Sequence, residues 1–158
     1  MIRVSKRRRR EGKTDYRARL DILKSPHPRL IIRKTNKYIL VQIVETKDAQ
    51  DRVMFSANSS DLLNNGWPKE LKGSLKSKPA AYLTGYLLAK KASAKIKKAV
   101  LDLGLNRNVK KSRIYSALKG VIDGGIEVPH KKETLPSEED SSSNEKVKSL
   151  INKLKTKI

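Results

Sequence analysis

The side chains best suited to chemistry stand at the head of the chain. Arg7, Arg8, Arg9 and Arg10 form an unbroken run, flanked by Arg3, Lys6, Lys13, Arg17 and Arg19, with Tyr16 among them. A guanidinium presents a planar fork of donors that matches a phosphate bidentately. A neighbouring aromatic ring stacks on an unpaired base for about 1–3 kcal/mol. Four consecutive arginines do not pack into a core, so the run reads as an arm for a polyanion. A solvated tail and a targeting signal are the plainer alternatives.

A second set lies further along. Arg29 and Arg33 share one face of an expected strand, and Asn36, Lys37 and Tyr38 follow in and after a turn. These residues read as a nucleic-acid platform or, more plainly, as a solvated sheet face. Tyr16 and Tyr38 serve either as base-stacking rings or as ordinary packing aromatics. Lys76 and Lys78 precede the start of a helix, whose free N–H groups and dipole attract phosphate.

Other chemistry is sparse. His27 and His130 are far apart in proline-bounded loops, and Gly124-Gly125 is a helix stop rather than a phosphate cradle. No Walker loop or dinucleotide fingerprint appears, and no cofactor, metal or small-molecule substrate is expected. An RNA-modifying enzyme, the rival from another class, would need a site among residues such as His27, His130 and Asp102. The inventory favours a binding protein over an enzyme.

Charge supports this. The 158 residues carry a net +21, which repels itself in the free protein and calls for an anionic partner. Met1 to Lys24 holds ten basic and three acidic residues, net +7, and Ser25 to Pro68 six and four, net +2. Lys69 to Lys119 holds fourteen and two, net +12, while Gly120 to Ile158 holds seven of each. A merely solubilising charge would be spread evenly; this one sits in two blocks. The absence of cysteine fits a reducing cytosol. The basic head is not followed by an apolar run of the secretory type. Pro79 to Ala89, the longest uncharged apolar stretch, falls short of the roughly 20 residues that span a bilayer.

The elements that must position these groups follow from patterning. Met1 to Lys13 has no hydrophobic period and is expected to be disordered when free. Thr14 is the expected N-cap of a short helix whose apolar edge is Tyr16, Leu20 and Leu23, ended by Ser25-Pro26-His27-Pro28. Three β-branched runs, Arg29–Arg33, Tyr38–Val44 and Arg52–Ala57, joined by short polar turns, predict an antiparallel meander. Leu30 and Ile32 fall on the face opposite Arg29, Ile31 and Arg33. Ser59 to Lys78 reads as a loop around Trp67-Pro68, and Pro79 opens a helix reaching about Ala94. Ala99 to Leu103 is a short buried strand, and Ser112 caps a second helix stopped at Gly124-Gly125.

The expected fold is therefore α/β: a mixed sheet of three antiparallel strands plus one strand after a helical crossover, two helices packed on one face, and a basic N-terminal arm. Residues 1–26 form the arm and short helix, 27–135 a single RNA-binding domain, and 136–158 a linker with an amphipathic C-terminal helix. In that tail Val147, Leu150, Ile151, Leu154 and Ile158 recur at helical spacing behind a cap at Ser143 or Asn144. So short a helix needs something to dock on.

Several stretches together resemble one family. They are Arg7 to Tyr16, Pro28-Arg29-Leu30 through Asn36-Lys37-Tyr38, Gln42 to Glu45, Gly66-Trp67 and Pro79 to Gly85. Ala99 to Leu105, Ala117 to Gly120 and Glu127 to His130 complete the series. In collinear order over roughly Ser5 to Leu135, the chain is similar to the archaeal branch of the large-subunit ribosomal protein family L-eighteen. The resemblance implies a translational-machinery-component-like fold, binding of 5S rRNA and a place in the central protuberance of the cytoplasmic ribosome. It implies attachment of 5S rRNA to the large-subunit (23S-type) rRNA beside neighbouring proteins, including the other 5S-binding protein. It maps rRNA contacts onto the basic arm, onto Arg29, Arg33, Asn36, Lys37 and Tyr38, and onto the loop before Pro79.

Ser77-Lys78 stand where the family usually carries Asn-Thr, and Asn106 where it often carries histidine. The expected contact set is Lys6, Arg7, Arg8, Arg9, Arg10, Lys13, Tyr16, Arg17, Arg19, Arg29, Arg33, Asn36, Lys37, Tyr38, Lys76 and Lys78. A generic basic DNA- or RNA-binding protein without a ribosomal role is the alternative.

Overall fold

The computed structural model describes residues 4–48, 50–137 and 145–157. Arg3, residues 138–144 of the expected linker with its cap at Ser143 or Asn144, the side chain of Val147, and Ile158 lie outside the described residues.

Strands β1 (Arg29–Lys34), β2 (Ile39–Lys47) and β3 (Gln50–Asn58) form the antiparallel meander, and β4 (Val100–Asp102) pairs parallel to β1. The sheet order is β3-β2-β1-β4. The first hairpin is closed at Thr35, whose hydroxyl donates to the Tyr38 carbonyl and accepts from the Tyr38 amide, both at 2.9 Å. Pairing opposes Leu30 to Ile43 and Ile32 to Val41, which lines one sheet face with fully buried aliphatic side chains. A bulge between Ile43 and Val44 shifts the β2–β3 register.

Four helices precede or cover the sheet: α1 (Arg7–Arg10), α2 (Tyr16–Leu23), α3 (Lys78–Ala92) and α4 (Arg113–Asp123). The aliphatic face is covered by α3 and α4, through Leu87, Leu88, Ala117, Leu118 and Val121. α4 is amphipathic, but α3 is buried nearly all round because it is enclosed on three sides. The third side is helix α5 (Glu145–Lys157), whose Ile151 and Leu154 close a second apolar cluster with Leu62, Trp67, Leu75 and Leu83. The tail helix thus docks on protein. The expected loop from Ser59 to Lys78 folds as two 3-10 turns, Ser59–Leu63 and Lys69–Ser74, which seat Trp67 with its Nε1 donating to the Leu71 carbonyl at 3.1 Å. No helix of the described residues is long and apolar enough to cross a membrane.

Two glycines set how closely the covering helices meet. A methyl group on Gly85 would overlap the Ala117 carbonyl, and one on Gly120 would overlap the Tyr82 carbonyl. Each glycine lies against the other helix's backbone. Replacing glycine by alanine in an open helix is worth a gain of roughly 0.5–1 kcal/mol. Here the sign should reverse: Gly85→Ala and Gly120→Ala are each expected to lose about 1–3 kcal/mol in denaturant titrations. A gain in either would show that the helices separate freely.

Candidate nucleic-acid interface

The arm is more ordered than its composition suggests. Arg7–Arg10 make one helical turn and Gly12, at φ +63°, turns the chain back. Backbone amides of Glu11 and Lys13 donate to the Arg7 and Arg8 carbonyls at 3.0 and 2.9 Å, and Glu11 adds exposed ion pairs to Arg7 at 3.7 Å and Lys13 at 2.9 Å. Arg8 Nε donates to the Thr14 hydroxyl at 2.9 Å. Thr14 is therefore engaged elsewhere, and the N-cap of α2 is Asp15, which accepts from the Arg17 and Ala18 amides. A carboxylate outcompetes a hydroxyl there because it also meets the positive end of the helix dipole. The expected apolar edge of α2 stays largely uncovered: Leu20 is exposed and the helix has no buried residue. Lys6 lies 4.5 Å over the Tyr16 ring, a cation–π contact. Arg9, Arg10 and Arg17 are exposed and have no carboxylate partner among the described residues.

The outer sheet face departs most from expectation. Arg29 is buried, not displayed: its Nη1 donates to Asp102 Oδ2 at 2.9 Å and its Nη2 to Asp51 Oδ1 at 2.7 Å. Asp102 also binds Arg33, through Oδ1 at 3.0 Å and its own carbonyl at 2.8 Å, and accepts the Gly104 amide at 2.8 Å. Asp51 accepts Arg19 of α2 at 2.7 Å and the Thr46 hydroxyl at 2.7 Å. Strand pairing dictates this, since Asp102 stands opposite Ile31 and so shares the face of Arg29 and Arg33. The expected basic platform is an internally neutralised row. Burial alone would raise the Asp51 carboxyl, but the hydrogen bonds from Thr46 and Arg29, with the charges of Arg29 and Arg19, hold it below the usual aspartate value.

At the other end of β1, the predicted residues do assemble. Asn36 and Lys37 are exposed at the hairpin tip, and Lys76 Nζ donates to the Asn36 carbonyl at 3.2 Å. Tyr38 is half-buried against the Trp67 cluster, the packing role rather than an open stacking ring. Lys78 lines a cavity of about 370 Å³ with Lys34, Arg107 and Arg113, which residue-by-residue reading did not single out. For Lys34 the signal was parity with Leu30 and Ile32, and for Arg113 its place just after the Ser112 cap. A second cleft of about 570 Å³ lies under the arm, lined by Arg8, Lys13, Arg19 and Arg33. Asn106 borders both spaces, so the cavity at Lys78 adjoins the cleft under the arm, where Asp15 and Asp102 also line the wall.

A family model described as ribosomal large subunit proteins 60S L5 and 50S L18 matches residues 2–99 and 93–131. The chain is 49% identical over 153 residues to the large ribosomal subunit protein uL18 of Korarchaeum cryptofilum, covering 96% of this chain and 76% of that protein. Its identity to the protein of the same name from Aeropyrum pernix is 47% over 139 residues, 87% of this chain and 63% of that one. For Methanoregula boonei it is 44% over 137 residues, 86% and 76%. The chain thus spans about three quarters of two of these relatives and just under two thirds of the third.

The ion-pair row has two measurable consequences. Asp102→Ala leaves Arg29 buried without its inner counter-charge, and should cost about 3–5 kcal/mol in a denaturation titration. Asp51, with its folded value depressed, contributes stability that is complete above the unfolded aspartate value of about 3.9 and is lost as pH falls through the lower folded value. Asp51→Asn should therefore be less stable at neutral pH and lose less on acidification below about pH 4 than the parent, followed by thermal melts at each pH.

Proposed function

This chain belongs to the family of ribosomal large subunit proteins 60S L5 and 50S L18, and from that premise we propose that it binds 5S rRNA, helps attach it to the large-subunit rRNA and forms part of the central protuberance. As a member of that family it is a structural constituent of the large ribosomal subunit in the cytoplasmic ribosome, a partner of rRNA and of other ribosomal proteins and not an enzyme. In this reading the neighbouring proteins include the other 5S-binding protein. Residues 27–135 are the RNA-binding domain, with 1–26 as its arm and 136–158 as its tail.

The observation that carries the reading is the set of cations without a carboxylate partner among the described residues: Arg9, Arg10 and Arg17 in and after the arm, Lys37 at the hairpin tip, and Lys34, Lys78, Arg107 and Arg113 around the cavity. Lysines and arginines there replace the counterions of RNA phosphates, a sequence-independent gain that weakens with salt. Irregular, unstacked RNA gives such a surface something further to select. The contact residues in this reading are Lys6, Arg7, Arg8, Arg9, Arg10, Lys13, Tyr16, Arg17, Arg19, Asn36, Lys37, Lys76 and Lys78. Arg29 and Tyr38 support the surface from behind, one held by Asp102 and the other packed under the hairpin, while Arg33 lines the cleft under the arm with its guanidinium already paired to Asp102.

In a competition gel at about 200 mM salt, 5S rRNA should displace labelled 5S rRNA far better than duplex DNA does. Equal displacement would favour a generic basic protein. Deleting residues 1–13 should weaken 5S rRNA binding and flatten its salt dependence, because fewer phosphates are neutralised. Identical salt slopes for the intact and shortened chains would remove the arm from the interface.

A further inference from the structure

We propose that the cavity between the starts of α3 and α4 is a built seat for one backbone phosphate of the bound RNA, an inference that rests on the 5S rRNA reading. Four cations from four separate segments meet there: Lys34 from the end of β1, Lys78 from the first turn of α3, Arg107 from the loop after β4, and Arg113 from the first turn of α4. No acid lines the cavity, and none of the four has an ion pair among the described residues. Lys78 and Arg113 occupy the positive ends of their helices, where an anion is preferred, and neither first turn contains an acid. The folded chain thus gathers like charges against the helix dipoles, an arrangement that a bound anion relieves.

An independent feature points to the same occupant. Ser112 sits at the N-cap of α4, yet its hydroxyl makes no capping bond. Ser112 lines the cavity, and its Oγ is buried with no hydrogen-bond partner among the described residues. A buried hydroxyl without a partner is costly, and rotation of the Ser112 side chain toward the cavity would let it donate a hydrogen bond to a phosphate oxygen there. The open amides of the first turn of α4 would donate to the same group. Asn106 borders both this cavity and the cleft under the arm, so the two spaces adjoin and a strand held by the arm would reach the seat. That continuity favours a phosphate within RNA over a free anion.

The test compares Arg107→Gln/Arg113→Gln with Lys47→Gln/Lys97→Gln, which removes equal charge from exposed lysines elsewhere. The seat variant should bind 5S rRNA about tenfold more weakly at fixed salt, with a salt slope lower by about one, as expected when one phosphate fewer is neutralised. The control should change affinity by less than about twofold. Without RNA, the seat variant should melt no lower than the parent, because it sheds repulsion; a marked drop would make the arginines structural and overturn the proposal. If intact protein prefers 5S rRNA to duplex DNA but seat and control variants weaken equally, the seat falls and the 5S reading stands. If the intact protein shows no such preference, both fall. If millimolar inorganic phosphate raises the melting temperature of the parent but not of the seat variant, and their RNA salt slopes coincide, the cavity takes a free anion instead.

Discussion

Two carboxylates govern the electrostatics of this fold. Asp102 holds Arg29 and Arg33, and Asp51 holds Arg29 and Arg19, so Arg29 joins the two halves of one row. The row crosses the outer sheet face from β3 through β1 to β4. It also carries an ion pair between α2 and the sheet, Arg19 to Asp51 at 2.7 Å, and α2 is the root of the basic arm. Buried charges are tolerated only when paired, and an unpaired Arg29 would be far costlier than the pair is favourable. The same two acids therefore consume part of the basic charge and orient what remains.

Lys34, Lys78, Arg107 and Arg113 stand outside that row near the far end of β1, and helix packing decides how they meet. Gly85 and Gly120 let α3 and α4 meet backbone to backbone. Close packing of the two helices brings their starting turns to one cavity, which Lys34 reaches because it extends the core-facing row of β1 beyond its last buried residue. Core packing and surface charge are thus linked: the contact that buries Leu118 and Val121 also gathers Lys78 and Arg113. Enclosure of α3 by α5 adds a wall on the far side, where Lys155 lies 4.8 Å over the Tyr82 ring.

The order and type of the elements were legible in the sequence because they are local properties. Period-2 runs gave the three meander strands, Pro79 and Gly124-Gly125 marked helix limits, and the interval from β3 to β4 was long enough for a crossover helix. The two charge blocks were equally plain. The cap of α2 was misplaced by one residue, since Thr14 and Asp15 are both competent and the choice turned on Arg8, six residues from Thr14, taking the hydroxyl.

By itself, then, the sequence determined the α/β architecture, the face on which Leu30 and Ile32 pack, and the surplus of cations that calls for a polyanion. Only the tertiary structure decided which cations are free. Arg29 finds Asp51 at a separation of 22 residues and Asp102 at 73, and no local pattern announces such partners. Likewise Lys34, Lys78, Arg107 and Arg113 become neighbours through strand pairing and helix crossing. Periodicity is written in adjacent residues, whereas burial and counter-charge come from segments that meet only when the chain has folded.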